Sequence, residues 1–528
     1  MHTKILVALL GTSLGIILGL YTKYGTEISI ITLCVGVLQL VLYRYVSTIN
    51  RKSHEHTHTK IHSVLLPVLS AIFFFAVTFG IIRVQFIEEK VTIVCKQACS
   101  QEVVVVSSPR IQDIYQIFTV AIKEHQEENS HSNEHISYYD IQVRAPLYPR
   151  HEVGDTLTLF GKVAIPEPTM QHTNARTFDY LTYLHLHDIG SEMFYPSIQK
   201  IESRIVQSKT LTSRLEHLRV AMVSHIAQYV SAPSASLASG MLFGSTSMSK
   251  ELLQTFRVAG LSHIIVLSGF NIVILISATL LILVFVPLIL RIVLAAVLVI
   301  FFVIMVGAEA SVVRATVMSF IALLALLVGR GYTARNALSL SLLCIIIYQP
   351  LHLLADVSLH LSFLATAGIV YMSDTIHSFL TRIRSDTYKE IITTTIAAYL
   401  GTLPYVLYTF GTASLYALLT NLIVLPLVPV MMLITFLVVV VSPFSTVLAS
   451  ILGYIDTVLG TFIIFIARMA EALPFSLVTV TISFLGMCVM YMIMCVVYLY
   501  MKKIIQKKKT NETQARKSEF LESEIIKY

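Results

Sequence analysis

Tryptophan is absent from the 528 residues, and charged side chains make up only 13% of them. Soluble globular domains run to about 25% charged, so this scarcity excludes an ordinary water-soluble enzyme and equally a solvated disordered chain. No GxxxxGK[ST] string occurs, which excludes the phosphate-cradling loop of a self-contained nucleotide-driven motor. Cysteine is sparse, with six in the chain. Cys34, Cys344, Cys488 and Cys495 lie in apolar runs and read as small packing residues. Only Cys95 and Cys99 stand in polar sequence, where a local disulfide is open to them. His54, His56, His58 and His62 have no carboxylate or thiolate framework beyond Glu55, and they read as a solvated loop. No metal site and no cofactor is expected.

What the chain does contain is apolar sequence: 55% of its residues are hydrophobic, mean hydropathy is +0.75, and runs of eighteen or more apolar residues recur. This composition specifies a polytopic α-helical membrane protein. Tyrosines and basic residues must supply the interfacial anchoring that tryptophan would otherwise give. The first run, "ILVALLGTSLGIILGLY", lacks a convincing cleavage site and reads as a helix rather than a removed signal peptide.

Loop charge orients the spans. Residues 1–86 hold three of them, near 5–21, 28–46 and 63–86, and Arg44, Arg51, Lys52 and Lys60 mark the loop after the second as cytoplasmic. Residues 87–232 are the one long stretch with soluble character. There "VTIVC", "EVVVVS", "IFTVAI", "ISYYDIQV" and "TLTLFGKVAI" read as the strands of an extracytoplasmic β-rich, OB-like module, followed by a helical linker. Between Glu88 and Arg219 stand 13 basic and 17 acidic residues, a net of −4 that offers no bulk attraction for a polyanion. Binding there would need a local patch and stacking tyrosines such as Tyr138, Tyr139 or Tyr148; a scaffold role is the alternative.

Residues 233–501 return to the membrane in nine spans, near 262–289, 292–308, 311–328, 336–348, 357–374, 391–410, 414–441, 448–470 and 478–501. Twelve spans in all place Arg291, Arg330, Arg335, Arg382, Arg384, Lys389 and the basic tail 502–528 on one side, opposite the module. Both termini are then cytoplasmic.

Strongly polar groups at membrane depth cost about 2.5–3.5 kcal/mol each on insertion scales, so they normally face a bundle interior or a wet path. "GLSHIIVLSGFN" opens a span with His263, Ser268, Gly269 and Asn271. A helix break lining a passage and a small-residue helix contact both explain it. Arg314 could snorkel, pair with Glu309 or meet a phosphate. Asp356 and His360, four apart, share a helical face and could couple to each other or to protons. Ser362, Pro404 and Asn421 complete the set.

"GMLFGSTSMSKELLQTFRVAGLSHIIVLSGFNI", "GAEASVVRATVMSFIALLALLVGR", "NALSLSLL", "DVSLHLSFLATAGI" and "TLPYVLYTFGTASLYALLTNLIVLPLV" occur in the order seen in the competence domain of the ComEC-type competence protein family, which this chain resembles over roughly 60–470. The family often carries histidine where Asn271 stands and glutamine where His360 stands. The resemblance implies an inner-membrane channel that admits one DNA strand during natural transformation, with His263, Ser268, Gly269, Arg314, Asp356, Ser362, Pro404 and Asn421 as its functional set. The implied partners are single-stranded DNA, DNA-receptor or pilus-type uptake proteins, a separate cytoplasmic helicase-like motor, a separate nuclease, the lipid bilayer and a homo-oligomer. Many relatives add an external metallo-β-lactamase-like domain, whose histidine and aspartate cluster this sequence does not contain, so no enzymatic activity is expected of it. A non-conducting envelope scaffold and a transporter of another anionic polymer are the competing readings.

Overall fold

The computed structural model describes residues 2–21, 32, 70, 72–83, 92, 94–107, 109–112, 115–122, 139–166, 172–173, 176–177, 180–200, 211–244, 248–265, 269–307, 310–329, 333–348, 350–380 and 385–525. Most of the second expected span, the histidine-bearing loop 51–62, the loop 124–136, Tyr138, Ser268, Glu309, Arg330, Arg382 and Arg384 lie outside the described residues.

Helices α1 (His2–Tyr21) and α2 (Ile72–Arg83) stand at the positions of the first and third expected spans. The soluble module follows. Strands β1 (Cys95–Val105), β2 (Arg110–Gln112), β3 (Tyr115–Ile122), β4 (Asp140–Pro146) and β5 (Thr156–Ala164) precede two short strands, β6 (His172–Thr173) and β7 (Arg176–Thr177). After α3 (Tyr180–Leu186) come β8 (Ile189–Phe194) and β9 (Ser197–Lys200). Five of these close on themselves: β1 pairs β3, β3 pairs β4, β4 runs parallel to β8, β8 pairs β5, and β5 pairs β1. This is the barrel expected from the β-branched runs, of OB-like kind. Alternation along β3 and β4 turns Phe118, Val120, Ile141 and Val143 inward onto Leu157, Leu159, Val163 and Met193.

Two of the five expected strands differ. "VTIVC" and "EVVVVS" contribute to a single strand, β1, irregular between Cys95 and Cys99, and those two cysteines form a disulfide with Cα atoms 6.2 Å apart. The fifth barrel strand is β8, "IGSEMF". It is buried at five consecutive residues and therefore lacks the apolar–polar alternation that marks a half-buried strand.

The helical part begins with α4 (Leu211–Tyr229), in the expected linker, then α5 (Ser234–Phe243), α6 (Lys250–Val258), α7 (Ser262–Ile265) and α8 (Gly269–Ile282). It continues through α9 (Leu288–Val306), α10 (Ala310–Val328), α11 (Ala334–Tyr348), α12 (His352–Ala355), α13 (Val357–Phe379) and α14 (Asp386–Phe410). After β10 (Thr412–Ser414) come α15 (Ala417–Val424), α16 (Leu427–Val441) and α17 (Thr446–Ala472), then β11 (Leu477–Thr479) and α18 (Phe484–Ile525). Helices thus stand at all nine expected positions after the barrel. Among the described residues four are long and apolar enough to cross a membrane (Leu288–Val306, Tyr388–Phe410, Thr446–Ala472, Phe484–Ile505), and α15 with α16, bent by 45°, makes a fifth. The others fall short on length or hydropathy. A 15-residue helix such as α11 reaches about 22 Å against a hydrocarbon core of about 30 Å. Of the expected 262–289 span, α7 and α8 are described, and 266–268 lie outside the described residues.

Long-range contacts lock the parts together. Arg83 at the end of α2 donates from Nε to the Ile347 carbonyl (2.7 Å) and from Nη2 to that of Tyr348 (3.0 Å), satisfying the last carbonyls of α11. Helix α3 of the module packs on α12. Antiparallel pairing of β10 with β11 ties the α14–α15 turn to the α17–α18 turn, so these two connections share a side of the bundle.

Candidate functional site

Helix α8 is described from Gly269 and α7 to Ile265. In its first turn Asn271 is buried, and its Nδ2 donates 2.7 Å to the Met241 carbonyl near the end of α5. An amide that would be unsatisfied in lipid thus becomes the clamp between α5 and α8. Gly269 faces α10 closely: a Cβ there would lie 2.9 Å from Ala315 Cβ and 3.1 Å from Arg314 Nη2. The glycine therefore sets how near α8 comes to the arginine.

Arg314 is buried, with 8% of its surface exposed, despite its charge. Its Nη1 donates to Thr366 Oγ1 at 3.0 Å and contacts Met318 Sδ at 3.5 Å, and its guanidinium lies 5.6 Å from the centre of the Phe363 ring. Thr366 passes its own hydrogen to the Ser362 carbonyl at 2.9 Å, so Ser362 enters the site through its backbone. Gly269, Arg314 and Ser362 are thereby brought together at the junction of α8, α10 and α13.

A second cluster stands at the start of α13. Asp356 is its N-cap, with Oδ1 accepting from the Leu359 amide at 3.0 Å and Oδ2 held 2.8 Å from His352 Nδ1. His360 places Nε2 2.8 Å from the Leu353 carbonyl and Nδ1 2.7 Å from the Tyr405 hydroxyl. Since a carbonyl only accepts, Nε2 carries a hydrogen, and in the neutral ring Nδ1 accepts from tyrosine. The expected side-chain coupling of Asp356 to His360 is therefore not what forms. The extended N-cap conformation of Asp356 (φ −83°, ψ 98°) turns its carboxylate back over the helix start, towards His352, and away from the i+4 position.

Pro404 lies inside α14, where it removes one amide donor and breaks the hydrogen-bond ladder. Tyr491 of α18 bridges the next rung of the ladder. Its hydroxyl donates to the Gly401 carbonyl at 3.0 Å and receives the Tyr405 amide. Tyr491→Phe should lower stability by about 1–2 kcal/mol, the penalty for leaving buried backbone groups unmatched, read as a fall in the thermal midpoint of the purified protein.

The remaining positions lie apart from these clusters. His263 is on α7, hydrogen-bonded to the Gly260 backbone. Asn421 is buried on α15, and its Oδ1 has no partner among the described residues; the neighbouring Thr420 hydroxyl donates 2.7 Å to the Ala259 carbonyl, joining α15 to the end of α6. No group of three or more His, Cys, Asp or Glu side chains converges among the described residues.

Sequence reasoning passed over His352, Thr366, Tyr405, Tyr491 and Asp456. The first four are ordinary residues until folding supplies their partners. Asp456 had a signal, a lone carboxylate inside the apolar run "ILGYIDTVLGTF".

Residues 241–504 match the family described as Competence protein. ComE operon protein 3 of Bacillus subtilis (strain 168) is 25% identical over 278 residues, 49% of this chain and 33% of that protein, so the match spans about a third of the relative's length. No solved structure matches. Both polar clusters, Asn421 and Asp456 fall inside the family region, and the barrel falls before it.

Proposed function

Because the chain belongs to the competence protein family, which implies DNA uptake, we propose that it is an inner-membrane channel through which single-stranded DNA enters the cell during natural transformation. The observation that carries this reading is Arg314, a guanidinium buried where α8, α10 and α13 meet inside the family region. A fixed cation in a helix bundle is the group a passing phosphate would use. Two departures from regular helix support the same reading, since irregular backbone at membrane depth is tolerated where it is buried in protein or lines a wet cavity. Among the described residues they are Pro404 in α14 and the α15–α16 bend. His263, Ser268, Gly269, Asn271, Ser362, Pro404 and Asn421 build the wall around the route, while Asp356 and His360 brace the start of α13. A separate helicase-like motor pulls the strand, and a separate nuclease degrades the one left outside. The direct test is deletion of the gene followed by transformation with marked DNA: uptake should fall to background, and unchanged uptake would overturn the channel.

The proposed topology has twelve spans, with both termini in the cytoplasm and the barrel outside. On a background with Cys34, Cys344, Cys488 and Cys495 replaced by alanine, single cysteines in the loop 124–136 should react with an impermeant thiol reagent in cells whose outer barrier is permeabilised. Cysteines beyond Lys509 should stay unlabelled until the inner membrane is opened. Labelling of the tail in intact inner membranes would reverse the orientation.

A further inference from the structure

Asp456 lies in the middle of α17, completely buried, on the face that packs against α16 and α5. Its surroundings are small and apolar. Met431, Met432, Val439 and Ile463 belong to the same core, and Gly453 and Gly460, one turn to either side, let the Tyr229 backbone and Ser234 come close. One hydrogen bond reaches the carboxyl, 2.9 Å between Oδ2 and Thr435 Oγ1, and Oδ1 has no partner among the described residues. The Thr435 hydroxyl also lies 2.8 Å from the Met431 carbonyl, which only accepts. A hydroxyl has one hydrogen. When it serves Met431, the bond to Asp456 forms only with the carboxyl as donor, in its protonated state.

The charges on neighbouring elements do not alter this. Helices α16, α5 and α15 carry no titratable residue. On α6, Lys250, Glu251 and Arg257 are exposed, and on α17 itself Arg468 and Glu471 are exposed three or more turns away. On α4, Glu216 and Arg219 pair with each other, Arg214 and His217 are exposed, and neither His225 nor Tyr229 makes a hydrogen bond or ion pair to the Asp456 carboxyl. The carboxyl thus has one neutral hydroxyl against it and, among the described residues, no counter-ion, a setting in which an isolated charge is costly to bury.

We propose that Asp456 is a proton-binding site in the membrane bundle, occupied in this conformation and emptied when α16 and α17 part during transport. The ligand is a proton: the carboxylate gains it to close the seam and returns it to water when the seam hydrates. Helix α16 is suited to such movement because it follows the 45° bend at Leu425–Pro426. The coupling to transport rests on the channel reading above; the proton site itself does not.

Infrared spectroscopy of the full-length protein at neutral pH should show the carbonyl stretch of a protonated carboxylic acid that disappears in Asp456→Asn. Thr435→Val should shift that band, because the hydrogen bond is lost while the acid remains. A spectrum unchanged by Asp456→Asn would overturn the site. With the protein at normal membrane abundance, Asp456→Asn should reduce DNA uptake about a hundredfold or more, the scale of a lost proton-transfer group, and abolish its response to external pH. Wild-type uptake by that variant would overturn the coupling. If the unmodified chain itself carries no DNA, the channel reading fails, and the infrared band alone then upholds or overturns the proton site.

Discussion

Arg314→Gln should cut transformation roughly ten- to hundredfold while the protein stays at normal abundance in the membrane. Glutamine keeps a donor for Thr366 Oγ1 and much of the volume against Phe363, so the three-helix junction survives. What disappears is the positive charge. A hydrogen bond to a charged group is worth about 1.5–3 kcal/mol, and each 1.4 kcal/mol of barrier is about tenfold in rate. Arg314→Lys should retain part of the activity, since it keeps the charge and loses the planar fork that holds Thr366 and the ring together. The paired measurement is uptake frequency and membrane-inserted protein for each variant. Normal uptake by Arg314→Gln would remove the guanidinium from the DNA route.

Gly368→Leu should have the opposite profile, with the folded protein itself lost. Helices α13 and α14 approach backbone to backbone through Gly368 and Gly401. A Cβ at Gly368 would run into the Ala397 carbonyl oxygen, and one at Gly401 would lie 2.5 Å from that of Leu364. Small residues at such a crossing are what draw membrane helices together, because lipid supplies no hydrophobic force to do it. A leucine must push the pair apart. That also breaks the His360–Tyr405 bond and withdraws α14 from Tyr491. The destabilisation should exceed about 4 kcal/mol, the range reserved for gross steric faults, and should be read as loss of the monodisperse protein in detergent. Gly269→Leu shares this logic more mildly, since the nearest atoms are the Ala315 side chain and the end of the flexible Arg314 side chain. Its loss of uptake should therefore be accompanied by some loss of protein.

Much of the architecture was legible from local pattern. Apolar runs located the helices, because a segment that must hide its backbone from lipid has to be helical wherever it lies. β-branched alternation located the barrel, with β8 escaping because a strand buried on both faces shows no period. Polar residues at membrane depth were equally visible, and Arg314, Asn271 and Asp356 are each engaged in the structure.

What those residues engage was decided by tertiary structure alone. Asn271 meets a carbonyl thirty positions earlier, Arg314 a hydroxyl fifty-two positions later, and His360 a tyrosine forty-five positions away. Asp356 and His360 share a helical face and still choose other partners, since capping geometry and the neighbouring helix outrank spacing. Asp456 stood in plain view as a lone acid, and only the packing of α16 and α5 around it buried it completely against the Thr435 hydroxyl. Helix formation is settled within a few residues by backbone hydrogen bonding, whereas the environment of a side chain depends on which distant helices come to lie against it.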